Sequence, residues 1–412
     1  MKTKKKAPII RIKGFDGDWE QRKLGELGNF KNGMNFSKDA MGHGYAFVNL
    51  QNIFGKSVID AEKLELAEAS ETQLQEYNLQ EGDVLFVRSS VKLEGVGEAA
   101  IVPKTLENTT YSGFIIRFRD EFRLDNNFKR FVFSIPNIRK QIMAQATNSA
   151  NKNISQPVLE NLQIHLPRYE EQKAIGAYFS KLDHLITLHQ REIDRIVCLR
   201  KAMVEKMFPQ NGADVPAVRF SRYKEPWRLC QFSEIFTERH IIDTISDEYP
   251  QLAFTIEEGV IRPEDKKTNK RDFLIIDKAT KKYLQTEYDD IIYNPANVIY
   301  GAIHRNALGK GCVSPIYKIF YTDQDSTFME CIVRHPNFIK EISRSMEGTV
   351  KKLRTLKPKA FLEMSAYIAP TIEEQRQIGE YFRQMDRLIE IEKEELEKIK
   401  HIKSACLEKM FV

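Results

Sequence analysis

Cysteine is scarce and scattered. Its five residues, Cys198, Cys230, Cys312, Cys331 and Cys406, form no Cys-x-x-Cys pair or other metal-ligand spacing, which argues against structural zinc and fits a reducing, cytoplasmic setting. No apolar run approaches the ~18–20 residues of a membrane span, so no membrane partner is expected. The basic start Met1-Lys-Thr-Lys-Lys-Lys6 is followed by no apolar h-region and is not a secretory signal. Those lysines read either as a frayed tail or as a weak electrostatic arm. A phosphate loop of the Gly-x-x-x-x-Gly-Lys-Ser/Thr type is missing, so Gly95-Val-Gly97 and Gly309-Lys-Gly311 read as tight turns. One-sided charge is missing too. Sixty-three basic against 58 acidic residues leave +5, which permits a polyanionic partner without demonstrating one. Tryptophan occurs only twice, at Trp19 and Trp227.

Those two tryptophans mark a duplication. Pro8, Arg11, Trp19 and Leu24 have the same spacing as Pro216, Arg219, Trp227 and Phe232. Further on, Phe128, Pro136-Asn137 and Ile142 are echoed by Phe328, Pro336-Asn337 and Ile342. The strongest copy is a cassette. Pro167–Phe208 and Pro370–Phe411 match at 18 of 42 positions without a gap, where unrelated segments would share roughly two or three. Both copies open on Pro-x-x-Glu-Glu-Gln, continue with Ile-Gly-x-Tyr-Phe and end on Glu-Lys-Met-Phe. Two repeats are too few for a solenoid.

Each cassette carries a heptad stripe. In the first it runs through Ile175, Phe179, Leu182, Ile186, Ile193, Ile196, Met203 and Met207; in the second through Ile378, Phe382, Met385, Ile389, Leu396, Ile399, Cys406 and Met410. The stripes are interrupted at matching places, His189 and Arg200, then Glu392 and Lys403. Some forty helical residues make a rod of about 60 Å, long for one domain to cover. Mutual packing of the two helices is therefore favoured over each lying on its own domain. Proline at the start suits a first helical turn, and the acidic pair complements the helix dipole.

Between the repeated ends the halves have diverged. Short strands are expected at Tyr45–Leu50, Asp83–Arg88, Ala99–Val102 and Gly113–Phe118, and a helix over 128–146. The second half repeats the order with Asp290–Tyr293, Gly311–Val313, Tyr317–Tyr321 and a helix over 328–346. Pro209-Gln-Asn-Gly-Ala-Asp-Val-Pro216 is a linker.

A variable domain, a long helix, a second variable domain and a second helix resemble the specificity subunits of type I restriction–modification systems. The Pro-x-x-Glu-Glu-Gln-x-x-Ile-Gly-x-Tyr-Phe opening, the Leu/Met-Asp-x-Leu-Ile that follows (Leu182–Ile186, Met385–Ile389) and the Trp19 and Trp227 contexts are similar to that family's landmarks. The resemblance covers essentially the whole chain. It implies an α+β fold: two mixed α/β target-recognition domains separated by two long α-helices forming an antiparallel coiled coil. The expected boundaries are 1–166 and 218–369 for the domains, 167–208 and 370–412 for the helices, and 209–217 for the linker. It implies a non-catalytic chain that binds double-stranded DNA at a bipartite, asymmetric target. Its expected partners are two methyltransferase subunits and the restriction–translocase subunits. No cofactor is expected on this chain; S-adenosylmethionine, ATP and Mg²⁺ are expected on the partners. The alternatives are a self-contained methyltransferase or nuclease, and a protein-only coiled-coil adaptor.

Base reading needs Asn and Gln for adenine, Arg and Lys for guanine, on loops that enter a groove. The candidates in the first half are Asn49, Gln51 and Asn52, then Arg88, Ser89, Ser90 and Lys92. In the second half they are Tyr300, His304, Arg305, Asn306 and Lys310. Lys152 and Asn153, and Lys351, Lys352 and Arg354, precede the helices and suit phosphate contacts. Asn294-Pro-Ala-Asn297 lacks the second proline and the aromatic of an amino-methyltransferase motif. His184 and His189, five residues apart, fall on different helix faces.

Overall fold

The computed structural model describes residues 7–147, 151–210, 212–265, 281–346 and 354–412. The chain divides into two compact units, Met1–Gln190 with Glu394–Val412, and Arg191–Lys393.

The first unit is built on a four-stranded antiparallel sheet in the order Gly28–Asn32, Ile115–Asp120, Val84–Val87, Ala99–Ile101. Its central strands are apolar on both faces because both faces are covered. Val84, Phe86, Ile116 and Phe118 point into one core with Trp19 and Phe128, while Leu85, Val87 and Ile115 point into another with Val48, Ile53 and Tyr111. Alternation of side chains along a strand makes that division automatic. The second core is closed by Met41–Val48, paired antiparallel with Glu65–Ala67 and parallel with Thr110–Tyr111.

The second unit repeats the plan. Its sheet runs Phe236–Glu238, Lys318–Thr322, Ile291–Tyr293, Ile303–Arg305. Ile291, Tyr293 and Phe320 face Trp227 and Phe328, and Ile292 and Ile319 face Leu252 and Val313.

The helix expected over 128–146 is two helices, Asn126–Val132 and Pro136–Gln145; that over 328–346 is likewise Ser326–Val333 and Pro336–Ser345. The break falls on the residue before proline. Ile135 (ψ 149°) and His335 (ψ 135°) are extended, as the proline ring requires of its neighbour. Asp125 and Asp325 cap the first helix of each pair, accepting from the backbone N–H of Phe128 at 2.8 Å and of Phe328 at 2.9 Å.

The two long helices are Tyr169–Met207 and Ile372–Lys409. Each starts two residues after its proline, not on it. Within the first unit, Tyr178 meets Cys406 (3.5 Å) and Asp183 meets Lys403 (2.5 Å). Rising numbers on one helix face falling numbers on the other, so the helices pack antiparallel. Within the second unit Arg200 grips Asp386 through two bonds of 2.5 and 3.0 Å. Ile175, Phe179, Leu182, Ile193, Ile378, Phe382, Met385, Ile389 and Leu396 are buried, and Ile186, Ile196 and Ile399 are partly buried. The matching interruptions at Arg200 and Lys403 are thus the cationic halves of two equivalent ion pairs. Polar pairs at such positions fix register at little gain in stability.

Candidate nucleic-acid interface

The repeated landmarks build a frame that holds each unit to a helix start and a helix end. At the start, buried Glu171 takes a two-pronged bond from Arg11 (2.8 and 2.7 Å), and Glu374 takes one from Arg219 (2.6 and 2.8 Å). The hydrogen bonds with Glu171 and Glu374 raise the pKa of Arg11 and Arg219 above the ordinary guanidinium value. The next residue bridges elements. Gln172 accepts from the N–H of Asp125 (3.2 Å) and donates to Pro167 O (3.0 Å); Gln375 does the same with Asp325 (3.1 Å) and Ala369 (2.9 Å). Gly176 leaves room for the capped helix, since a Cβ there would lie 2.7 Å from Phe128 N. The Glu-Glu-Gln-x-x-x-Gly signature is therefore a docking code between helix and sheet domain.

At the other end, the closing Met-Phe enters an aromatic nest. Phe411 contacts Trp19, Phe128 and Phe179 in the first unit; Phe208 contacts Trp227, Phe328 and Phe382 in the second. Backbone bonds repeat the match. Ile10 N–H donates to Lys409 O, and Val218 N–H to Lys206 O, both at 2.9 Å.

On this common frame sit unlike tips. In each unit the central strand leads into a loop containing a 3₁₀ turn, Leu93–Gly95 in the first and Val298–Tyr300 in the second. A later segment docks on that loop. Ile154 N–H donates to Arg88 O, and Leu356 N–H to Pro295 O, both at 3.0 Å. Ile154 directly follows Lys152-Asn153, and Leu356 lies two residues after Arg354, so these phosphate candidates stand close in sequence to the docked segments.

In the first unit most of the expected residues converge. Ser89-Ser90 pairs with Lys152-Asn153 as a short antiparallel ladder. Beside it opens a cleft of about 550 Å³ lined by Leu50, Phe54, Ser89, Ser90, Val91, Lys92, Glu94 and Phe114 among others. Gln51 and Lys92 are exposed. Arg88 donates to Gly113 O at 3.4 Å. Asn49 and Asn52 are spent on the fold. They cap the Leu50–Asn52 turn reciprocally, and buried Asn52 donates to Asp60 O (3.2 Å) and Lys63 O (3.0 Å).

The second unit gathers fewer of them at its surface. Tyr300 is 69% exposed at the head of its loop. His304 is buried against Phe254 and Gly259, its Nε2 2.8 Å from Ile256 O. Burial, then Arg334, push its pKa down to about 4. Glu330, 3.7 Å from Nδ1, is shared with Arg305 and Arg334. Arg305 also pairs with Asp289 at 2.8 Å, and Lys310 pairs with Glu248. Asn306 is fully buried and ties its own turn to Thr286, Glu287 and Gly309. Arg354 is exposed, while Lys351 and Lys352 lie outside the described residues. Asn294 accepts from the N–H of Ala296 and of Asn297 and builds a turn. Among the described residues no group of three or more His, Cys, Asp or Glu is arranged to hold a metal ion, and no helix is long and apolar enough to cross a membrane.

Two features escaped the sequence reading. One is the apolar content of the first-unit cleft, where Val91 is 77% and Phe114 56% exposed. The other is a second apolar stripe on the long helices. Leu185, Leu188 and Leu199 are exposed, and so are their repeat equivalents Leu388, Ile391 and Ile402. All but Leu188 and Ile391 sit one position before a seam residue that is apolar or ion-paired; those two precede His189 and Glu392. The 203-residue offset would have revealed the stripe.

Residues 16–197 match the family described as type I restriction modification DNA specificity domain. A putative type I restriction enzyme MjaX specificity subunit of Methanocaldococcus jannaschii is 25% identical over 398 residues, covering 95% of this chain and 92% of that one. The EcoKI specificity subunit of Escherichia coli K12 is 26% identical over 188 residues, 44% of this chain and 40% of that one. The fold matches the crystal structure of the type I restriction–modification S subunit from M. genitalium with a TM-score of 0.60 and 16% identity, over 98% of this chain and 99% of that one. Residues 16–197 thus carry the type I restriction–modification DNA specificity domain, and the chain over most of its length is similar to specificity subunits, the non-catalytic members that confer DNA specificity.

Proposed function

We propose that this subunit reads a split, asymmetric duplex target, one half-site per unit, and that its long helices recruit two methyltransferase subunits together with the restriction–translocase subunits. Residues 1–166 and 218–369 are the two target-recognition domains, joined by 209–217, with 167–208 and 370–412 as the helices. The observation that carries the reading is one frame bearing two unlike tips: Ser89-Ser90-Val91-Lys92 in the first unit and the Tyr300 loop in the second. Equal frames place the tips equivalently, and unlike chemistry makes the half-sites differ.

The second apolar stripe supports recruitment of a partner in two copies. In the first unit, Leu185, Leu188 and Ile402 are exposed; in the second, Leu388, Ile391 and Leu199. Residues one step before the seam on antiparallel helices flank it on the same side. Each unit thereby offers a similar apolar patch, and such patches mark interaction sites. S-adenosylmethionine, ATP and Mg²⁺ belong to the partners, and the complex works in the cytoplasm.

The test is co-purification with the methyltransferase partner followed by mapping of methylated adenines on random DNA. A split, non-palindromic pattern is expected. Methylation without sequence preference, or at a palindrome, contradicts the reading.

A further inference from the structure

The first-unit cleft presents a small apolar group where a DNA reader would be expected to present polar ones. Val91 stands between Ser90 and Lys92 and is 77% exposed, facing a cleft whose other large apolar walls are Leu50, Phe54 and Phe114. The loop holds this shape by its own bonds. Ser90 Oγ accepts from Lys92 N–H at 3.2 Å, Ser89-Ser90 is pinned to Lys152-Asn153, and Phe114 O accepts from Arg88 N–H at 2.8 Å. Gly95 lets the floor close, because a Cβ there would lie 2.5 Å from Ser90 Oγ and 3.0 Å from Phe54. Basic groups, Lys92 and Lys152, flank the tip and suit the phosphates on either side. Of the cleft's two carboxylates, Glu98 is engaged with the Gly55 N–H at 2.8 Å and Glu94 is exposed.

Only one apolar group protrudes from the base edges of duplex DNA, the C5-methyl of thymine in the major groove. We propose that Val91, backed by Phe114, reads a thymine methyl in the half-site of the first unit. This rests on the assignment of that unit as a half-site reader. Specificity at this position comes from burying a methyl, and exposed Glu94 offers an acceptor to an exocyclic amino group nearby.

The experiment uses the complex of the full chain with its methyltransferase partner on the mapped target. Each thymine is replaced in turn by deoxyuridine, which removes the methyl and keeps the base pair. One position, in one half-site only, is expected to weaken binding about four-fold, the worth of one buried methyl-sized group. In Val91→Ala that position is expected to lose its sensitivity while complex assembly stays intact. Insensitivity at every thymine overturns the proposal, as does a uracil effect that persists undiminished in Val91→Ala. If Val91→Ala weakens all sequences equally, or lowers methyltransferase binding, the residue is a wedge or a protein contact and the proposal also falls. A wild-type complex with no sequence preference defeats the half-site assignment itself, a distinct result.

Discussion

Phe411 lies edge-on to Trp19, with ring centroids 6.2 Å apart and planes at 87°. The pair joins residues from opposite ends of the chain in one core, and Phe128 and Phe179 complete the nest. Removing the ring leaves a cavity among rigid aromatics. Phe411→Ala is expected to destabilise the first unit by about 3–5 kcal/mol. Thermal unfolding followed by calorimetry checks it. An unchanged first-unit transition would mean that the nest holds without its plug.

The lock between Arg219 and Glu374 is a buried pair, with Glu374 fully inaccessible and also taking the Trp227 indole N–H at 3.3 Å. Truncating one partner strands the other's charge. Arg219→Ala is expected to cost about 3–5 kcal/mol. Replacing both partners by apolar residues of similar volume should cost far less, and urea titration of the single and double variants separates the two outcomes.

Arg200 and Asp386 pair across the two long helices of the second unit from a half-exposed position. Exposure screens the pair, so either reversal alone, Arg200→Asp or Asp386→Arg, is expected to cost only about 1 kcal/mol. The double reversal should recover most of it. A double-mutant cycle measures the coupling, and strictly additive effects would show that the pair does not act as a unit.

Acid should weaken the second unit before ordinary carboxylate chemistry does. His304 has its pKa lowered from 6.5 to about 4 by burial. The unfolded chain therefore takes up this proton more readily than the folded one. The stability tied to neutral His304 is complete above about pH 6.5 and is lost as pH falls towards 4, amounting to about 3 kcal/mol. Melting curves from pH 7 to 4 on wild type and His304→Gln test this, the variant being expected to show a shallower dependence.

Lys92 contacts phosphate on the present reading. Lys92→Ala is expected to weaken specific and non-specific DNA alike and to lower the slope of log affinity against log salt by about 0.9. Fluorescence anisotropy across a salt series measures it. A loss confined to one base position would instead make Lys92 a base reader.

Much of this architecture was legible in the residues because duplication supplied an internal control. Pro167–Phe208 and Pro370–Phe411 agreed on where the helices run, and even on where the seam breaks. Why it breaks was not legible: a cation at Arg200 has meaning only once register brings Asp386 to it. The two helices read as one over 128–146 show a general weakness. Apolar spacing continues through Pro136, and only the backbone constraint on Ile135 stops the helix. Loop chemistry was least legible. Asn52, His304 and Asn306 have the right groups for reading bases, but burial commits them to turns and packing. Val91 has no polar group and was passed over, although its exposure makes it the more informative residue.

Met410 and Phe411 belong to the core that also contains Trp19 and Phe128. During synthesis, the segment made first therefore lacks part of its interior until Glu394–Val412 has left the ribosome. Arg191–Lys393 is contiguous in sequence and has no such wait. At about 5–20 residues per second, some two hundred residues of translation impose a delay of roughly 10–40 s. The first unit is thus completed after the second, and a ribosome that stalls within Glu394–Val412 releases a chain in which only the second unit is whole.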